Sequence, residues 1–313
     1  MYEALRPSRS EFVPVRLHRY HVRLWGAPSA AASKLPPLVL VHGWMDVAAS
    51  YQFVVDALPE EFVAGRLIIA PDWRGFGHSQ GPATDHYSFA EYLADLEILL
   101  DHYTGQRQVD LVGHSMGGNI SMMYAGVRPA RIRRLVNLEG FGMPSTQPDQ
   151  APARYATWID EIKALHAGQT LLRSYEDVDG VAARLMKTNH RLPKEKADWL
   201  ARLWSEPRVQ ADGTTRQEIL GDPAHRIISA QLFRAEEMMA LYRQITAPAM
   251  LIEADEGSLK TNWKQRFPQE EFDQRIAHVP QLRRETISNA GHMLHHDQPE
   301  ALARLLVDFL DAQ

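Results

Sequence analysis

Cysteine is absent from the 313 residues of the chain. This absence excludes disulfide bonds, thiolate metal sites and a cysteine nucleophile, so a nucleophilic side chain must react through oxygen or nitrogen. Long apolar runs are also missing. No stretch approaches the roughly 18 apolar residues of a membrane span, and residues 1–11 lack the apolar segment of a secretion signal. We expect a cytoplasmic protein with no membrane partner.

The chain also lacks an excess of positive charge. It has 34 lysines and arginines against 39 aspartates and glutamates, which gives a formal net charge of −5. This balance provides no basic surface for a phosphate backbone, so nucleic acid is not an expected partner. The composition, 45% hydrophobic and 23% charged, is typical of a globular protein with one large domain or a domain that carries an insertion.

Short apolar runs predict the buried strands of an α/β fold. They occur at residues 38–41, 67–70, 109–112, 135–138 and 249–252, and the first few alternate with helical patterns. One helix has a clear start, because Ser88 and Glu91 form a possible capping box. The alternation predicts a mostly parallel sheet flanked by helices. Residues 15–25 instead alternate apolar and polar side chains, which indicates antiparallel strands at one edge.

The alternation of strands and helices breaks in the middle of the chain. Between about residues 143 and 245 no strong strand run occurs, and helical stretches carry large apolar side chains such as Trp158, Trp199 and Phe233. We predict a helical cap at residues 142–246, inserted between two parts of the core at residues 1–141 and 247–313. Apolar stripes on helices are usually buried faces, so most of these side chains should pack inside the cap.

A serine motif lies between a predicted strand and a predicted helix. Gly113-His114-Ser115-Met116-Gly117 follows the apolar run at 109–112 and precedes a helical pattern. This is the context that a Gly-x-Ser-x-Gly nucleophile elbow requires. Small residues permit the sharp turn, and the N–H groups at the start of the helix can stabilise an oxyanion. We interpret Ser115 as a nucleophile rather than as part of a chance glycine-serine turn.

With this motif the chain resembles the α/β-hydrolase superfamily over nearly its whole length. His42-Gly43-Trp44 is similar to the superfamily's His-Gly-x loop, and the resemblance implies that Trp44 and Met116 donate the two oxyanion N–H groups. The longer stretch from His42 to Asp46 is similar to the His-Gly-Trp-x-Asp loop of the serine hydrolase-like subgroup. The resemblance implies an α/β-hydrolase fold with a helical cap and no cofactor.

His292 is the candidate base. It stands in Gly291-His292-Met293, between the last predicted strand and the last predicted helix, where this superfamily has its catalytic histidine. An imidazole is suited to accept the serine proton because its pKa lies near neutrality. His295 and His296 follow closely, but no carboxylate completes a known ligand spacing, so we expect no metal site.

Two carboxylates compete for the third position of a catalytic triad. Glu139 follows the apolar run at 135–138, where the acid lies in some relatives. Asp255 lies near the position that the acid takes in many others, but it is displaced by two residues, and Gly257 stands at that position. An acid at the end of an apolar strand is costly to bury without a partner, so we favour Glu139 and keep Asp255 as the alternative.

These residues predict a serine hydrolase that acts on a small-molecule acyl substrate such as a carboxylic ester. A carbon–carbon bond hydrolase, a lactonase or a perhydrolase would keep the same triad, so the sequence leaves these activities open. Acyl transfer to an acceptor other than water is also open. A ligand-binding protein without activity is the alternative from another class, because a fold does not dictate a function.

Overall fold

A computed structural model describes residues 2–261, 263 and 265–312 of the chain. Its strands are β1 (Arg9–Val15), β2 (His18–Gly26), β3 (Leu38–Val41), β4 (Leu67–Pro71), β5 (Val109–His114), β6 (Ile132–Leu138), β7 (Ser174–Tyr175), β8 (Ser205–Val209), β9 (Thr215–Ile219), β10 (Ala249–Ala254) and β11 (Leu282–Ile287). Its α-helices are α1 (Gln52–Ala57), α2 (Glu60–Ala64), α3 (Phe89–Thr104), α4 (Met116–Val127), α5 (Ala151–His166), α6 (Val178–Thr188), α7 (Lys194–Trp204), α8 (Ala235–Tyr242), α9 (Gln269–Ile276), α10 (Leu294–Asp297) and α11 (Pro299–Leu310).

Eight strands form one sheet in the order β1-β2-β4-β3-β5-β6-β10-β11. The strands from β4 to β11 in this order pair in parallel, whereas β1 and β2 pair antiparallel at one edge. Each of the five apolar runs lies within one of the parallel strands. The predicted mostly parallel sheet with an antiparallel edge is therefore confirmed.

The two faces of the sheet pack against separate hydrophobic clusters. One cluster joins the sheet to α3 and α4 through residues such as Leu96 and Ile120. The other joins it to α1 and α11 through residues such as Val55 and Leu306. The predicted capping box is present, since the side chains of Ser88 and Glu91 bond reciprocally to the backbone at the start of α3. Among the described residues, no helix has both the length and the apolar character to cross a membrane.

The segment between β6 and β10 is not wholly helical. It contains α5 to α8, as the sequence predicts, and also a three-stranded antiparallel sheet in the order β7-β9-β8. These strands are polar and half exposed, with sequences such as Thr-Arg-Gln-Glu-Ile in β9. Strands of this kind contain no apolar run, so the sequence analysis missed them.

The helices of this segment differ in how they pack. α6 and α7 share a small hydrophobic cluster with Phe53 of α1, and this cluster buries Val181 and Leu200 completely. In contrast, α5 buries none of its residues. The expectation that the apolar stripes are buried is therefore correct for α6 and α7, whereas the α5 stripe, which includes Trp158 and Ile162, is only half-buried.

Candidate active site

The loops at the carboxyl ends of four parallel strands meet at one edge of the sheet. Ser115 follows β5, Glu139 follows β6 and Trp44 lies three residues beyond the end of β3. His292 lies in the loop that connects β11 to α10. Since β3, β5 and β6 are parallel neighbours, the sheet itself brings these loops together.

Ser115 occupies a strained turn between β5 and α4. Its φ of 52° and ψ of −114° lie in a region that residues with a side chain rarely adopt. The turn needs small residues on both sides. A Cβ atom at Gly113 would lie 2.2 Å from the carbonyl oxygen of Gly117, and one at Gly117 would lie 2.2 Å from that of Val41.

A chain of hydrogen-bonding groups connects Ser115, His292 and Glu139. The Oγ atom of Ser115 lies 2.9 Å from Nε2 of His292. On the other side of the ring, Nδ1 lies 3.3 Å from Oε2 of Glu139. Because a carboxylate only accepts hydrogen bonds, Nδ1 carries the proton and Nε2 is left to accept the serine proton. The structure thus brings together three residues that are far apart in the sequence.

The Glu139 carboxylate is buried and held by backbone N–H groups. Only 5% of the residue is exposed, and its two oxygens accept hydrogen bonds from the N–H groups of Ala254 (2.8 Å) and Ser258 (3.1 Å). A Cβ atom at Gly257 would lie 2.3 Å from Oε1 of Glu139. The Glu139 carboxylate therefore fills the space that a side chain at position 257 would need.

Asp255 has a different place. It is exposed, and its carboxylate accepts hydrogen bonds from the N–H groups of Asn289 (2.8 Å) and Ala290 (3.0 Å). These backbone bonds lower the pKa of Asp255 below its ordinary value. The Asp255 side chain therefore stabilises the loop that leads to His292. No hydrogen bond joins Asp255 to the His292 imidazole among the described residues.

Trp44 and Met116, the predicted donors of the oxyanion N–H groups, follow Gly43 and Ser115 directly in the chain. Gly43 packs closely against the nucleophile, since a Cβ atom there would lie 3.1 Å from that of Ser115. Met116 is the first residue of α4, where N–H groups have no acceptor within the helix. Among the described residues, neither the Trp44 nor the Met116 N–H has a backbone acceptor. Both groups are thus available for a ligand oxygen.

His114, the variable residue that precedes Ser115 in the serine motif, also helps to position His292. It is buried, and its Nε2 donates a hydrogen bond of 2.7 Å to the carbonyl oxygen of His292. Burial lowers the pKa of His114 well below its ordinary value, so the ring is neutral. This bond fixes the backbone that carries the His292 imidazole. The sequence analysis missed this role, although the position of His114 next to Ser115 in the motif was visible.

Unusual backbone conformations concentrate at this edge of the sheet. Five described residues other than glycine have a positive φ, and four of them lie in the loops just described: Met45, Ser115, Glu139 and Asn289. Such conformations cost roughly 1–3 kcal/mol each and persist where the surrounding structure enforces them. Their clustering makes these loops a candidate functional site.

A separate polar cavity lies between the core and the small sheet of the inserted segment. Its volume is about 530 Å³, and its lining includes Gly77, Tyr87 and Arg208. None of Ser115, His292 and Glu139 lines it. The triad candidates therefore face a different region, in which the Phe141 ring lies 6.3 Å from the His292 ring and 6.0 Å from that of Trp263.

Residues 36–299 match the family described as alpha/beta hydrolase fold. The chain belongs to this family. The predicted α/β-hydrolase resemblance is thereby confirmed, and the chain is placed among hydrolases of the α/β-hydrolase type.

Individual α/β-hydrolase relatives agree with this assignment. A protein of Danio rerio named serine hydrolase-like protein is 25% identical over 317 aligned positions, which cover 99% of this chain and 90% of that protein. A 2-hydroxy-6-oxo-2,4-heptadienoate hydrolase of Pseudomonas putida is 39% identical over 107 positions, covering 34% of this chain and 38% of that one. The solved thioesterase domain from the curacin biosynthetic pathway superposes with a TM-score of 0.79 at 24% identity, over 96% of this chain and 99% of that one. The last likeness concerns the fold.

Proposed function

We propose that this α/β-hydrolase is a serine hydrolase that cleaves a small carboxylic ester or a related acyl substrate through an acyl-enzyme. The observation that carries the proposal is the 2.9 Å contact between Ser115 Oγ and His292 Nε2, on a ring whose other nitrogen faces Glu139. A nucleophile, a base and an orienting acid in this order are the arrangement that activates a serine hydroxyl.

In the first half of the reaction, His292 takes the proton of Ser115 while Oγ attacks the carbonyl carbon of the substrate. The N–H groups of Trp44 and Met116 stabilise the resulting oxyanion. The protonated imidazole then gives its proton to the leaving group as the carbon–oxygen bond breaks. In the second half, His292 takes a proton from water, the hydroxide attacks the acyl carbon, and Ser115 leaves with the proton.

Glu139 holds the imidazole in the productive tautomer and stabilises its protonated form. The N–H groups of Ala254 and Ser258 hold the carboxylate in place beside the imidazole. The longer distance of 3.3 Å between Nδ1 and Oε2 suits a site in which the hydrogen bond shortens once the imidazole becomes charged.

Apolar side chains beside the triad support an acyl group with an apolar chain. Phe141 and Trp263 lie on the His292 side, while 52% of Trp44 and 43% of Met143 are exposed. Exposed large apolar side chains beside a reactive group are typical of ligand sites. The name of the Danio rerio relative, serine hydrolase-like protein, also favours a serine mechanism.

The test is hydrolysis of p-nitrophenyl acyl esters from short to long chain, with Ser115→Ala as the blank. We expect turnover that disappears in the variant. Addition of an alcohol or an amine would reveal acyl transfer to acceptors other than water through new products. Equal rates for the wild type and the variant on every ester would contradict the proposal and favour a ligand-binding role.

A second candidate is hydrolysis of a carbon–carbon bond next to a carbonyl group. It is favoured by the 39% identity, over a third of the chain, to the 2-hydroxy-6-oxo-2,4-heptadienoate hydrolase. The same nucleophile, base and oxyanion N–H groups could serve this reaction. The test is the loss of absorbance of that dienoate in the presence of the wild-type protein but not of Ser115→Ala. Faster turnover of the dienoate than of the esters would favour this activity over ester cleavage.

A further inference from the structure

Behind the triad lies a second cluster of polar side chains that the proposed reaction does not use. Asp46 comes from the loop after β3, and His295 and His296 come from α10. Their exposed fractions are 4%, 0% and 3%, so all three are buried. The cluster is adjacent to the site, because the His295 ring lies 4.3 Å from that of His114.

The cluster contains polar atoms without hydrogen-bond partners. Among the residues that the structure describes, Oδ2 of Asp46, both ring nitrogens of His295 and Nε2 of His296 have none. The other oxygen of Asp46 is satisfied by the N–H of Val47 at 2.9 Å and by the Ser50 hydroxyl. A fixed carboxylate therefore directs one free oxygen towards two imidazoles.

Another buried histidine–aspartate pair of the chain has protein partners for its ring nitrogens. His21 and Asp72 are also buried, yet Nδ1 of His21 lies 2.7 Å from Asp72 and Nε2 lies 3.0 Å from the Ser10 hydroxyl. In that pair both ring nitrogens have a partner. Buried polar atoms without partners are rare and call for an explanation, which includes an ion. The cluster around His295 therefore differs from an ordinary buried pair.

The spacing of the free atoms fits a metal ion. One donor atom from each of Asp46, His295 and His296 lies within 4.8 Å of the others, and Asp46 Oδ2 is 3.7 Å from His295 Nε2. Nitrogen and oxygen ligands at about 2.0–2.1 Å from a tetrahedral Zn²⁺ are separated by about 3.4 Å. The separation of 3.7 Å between Asp46 Oδ2 and His295 Nε2 is close to this value.

We propose that Asp46, His295 and His296 form a binding site for a divalent transition-metal ion of the Zn²⁺ class. Two imidazoles and one carboxylate are a ligand set that suits such ions, and they leave one of four tetrahedral positions without a protein ligand. A simple ion pair would not account for the cluster, because 3.7 Å exceeds a hydrogen bond and the remaining nitrogens would still lack partners. The proposal of this metal site does not depend on whether the protein catalyses the proposed hydrolysis.

The residues around the site are consistent with a structural role for the ion. The His295 ring contacts the rings of His114 and Tyr51, at 4.3 Å and 5.5 Å, and the His296 ring lies 5.5 Å from that of Phe53. Tyr51 and Phe53 carry no charge and burial keeps the His114 ring neutral, whereas the Lys196 ammonium lies 4.9 Å from the Phe53 ring. A bound cation would tie α10 to the loop after β3, and so would stabilise the backbone on both sides of Ser115.

The test measures zinc retained by the full chain. The protein is isolated from cells grown with added Zn²⁺, or refolded with Zn²⁺, and is passed over a desalting column before elemental analysis. We expect about one zinc per chain and a melting temperature that falls when zinc is left out. Asp46→Asn and His296→Gln should weaken binding by at least about a hundredfold, since even the loss of an outer-shell partner costs about 10–100-fold in metal affinity.

The matched control is His21→Gln, which alters a buried histidine–aspartate pair without free nitrogens and should retain zinc like the wild type. Wild-type protein without zinc by both routes would overturn the proposal, as would zinc that persists in His296→Gln. If the variants do not fold, the visible absorption spectrum of the wild type loaded with Co²⁺ is the deciding measurement. An intense visible spectrum of a low-coordinate nitrogen and oxygen site supports the proposal, and the weak spectrum of a hydrated surface ion overturns it.

Discussion

At the residue scale, the orienting acid is the position at which the structure adds most to the sequence. Glu139 is buried against His292, whereas Asp255 is exposed and bonded to the backbone at 289 and 290. Glu139→Gln should lower kcat by about 10³–10⁴-fold, because an amide can favour the wrong imidazole tautomer. Asp255→Asn should lower it by less than about tenfold. Steady-state rates on one ester compare the two, and the reverse ranking would move the acid to Asp255.

Gly257 provides a second test of the same assignment. A side chain there would collide with the Glu139 carboxylate, so Gly257→Asp alone should reduce turnover. In a Glu139→Ala background the space is free, and the new carboxylate can approach His292. We expect the kcat of the double variant to exceed that of Glu139→Ala by at least about tenfold. A double variant no faster than Glu139→Ala would show that this space does not admit a working acid.

The sequence indicated Ser115 and His292 as candidates because each stands in a local motif. It left two acids open because the position of a carboxylate depends on how β6 and β10 lie side by side, which no local pattern reports. The same limit applies to Asp46. Asp46 and His295 are far apart in the sequence, so their proximity, 3.7 Å between Oδ2 and Nε2, is visible only in the folded structure.

At the scale of secondary-structure elements, α5 should be the least stable helix of the inserted segment. It buries no residue, and about half of each of Tyr155 and Ile159 is exposed, whereas α7 buries Ala197, Leu200 and Ala201. Local opening is easiest where few apolar contacts hold an element. Hydrogen exchange followed by mass spectrometry should show faster exchange in α5 than in α7, which serves as the internal reference. Equal protection of the two helices would mean that α5 packs more tightly than its exposure indicates.

The five central strands β3, β4, β5, β6 and β10 could be predicted because parallel strands that are buried on both faces read as continuous apolar runs. The antiparallel strands β8 and β9 could not be predicted in this way, because they are polar and mostly not buried. The incomplete burial of the apolar stripe of α5 was also not predictable from the sequence. A helical period indicates an apolar face but does not identify what covers it.

At the scale of the whole molecule, buried neutral histidines should make stability depend on pH. Burial lowers the pKa of His225 to about 3; its ring is stacked between Phe76 and Tyr87, and its Nε2 donates to the Arg74 carbonyl at 3.1 Å. A folded pKa below the unfolded value of about 6.5 stabilises the protein above pH 6.5. This contribution is lost as the pH falls towards the folded pKa, because only the unfolded chain takes up the proton.

Between about pH 7.5 and about pH 5, His225 should therefore reduce the free energy of unfolding by about 2 kcal/mol. His225→Gln retains a donor for the Arg74 carbonyl and cannot titrate. Urea unfolding of both proteins at the two pH values should show a smaller decrease in the variant by about that amount. Parallel decreases would mean that His225 does not stay neutral in the folded protein.

The most direct measurement of the central claim is covalent labelling of the purified protein with a fluorophosphonate, followed by intact mass and peptide mapping. The reagent needs an activated serine but no knowledge of the natural substrate. We predict one adduct per chain, located on Ser115, which disappears in Ser115→Ala and becomes much slower in Glu139→Gln. A wild-type protein without an adduct, or with an adduct on another residue, would contradict the assignment of Ser115 as the nucleophile.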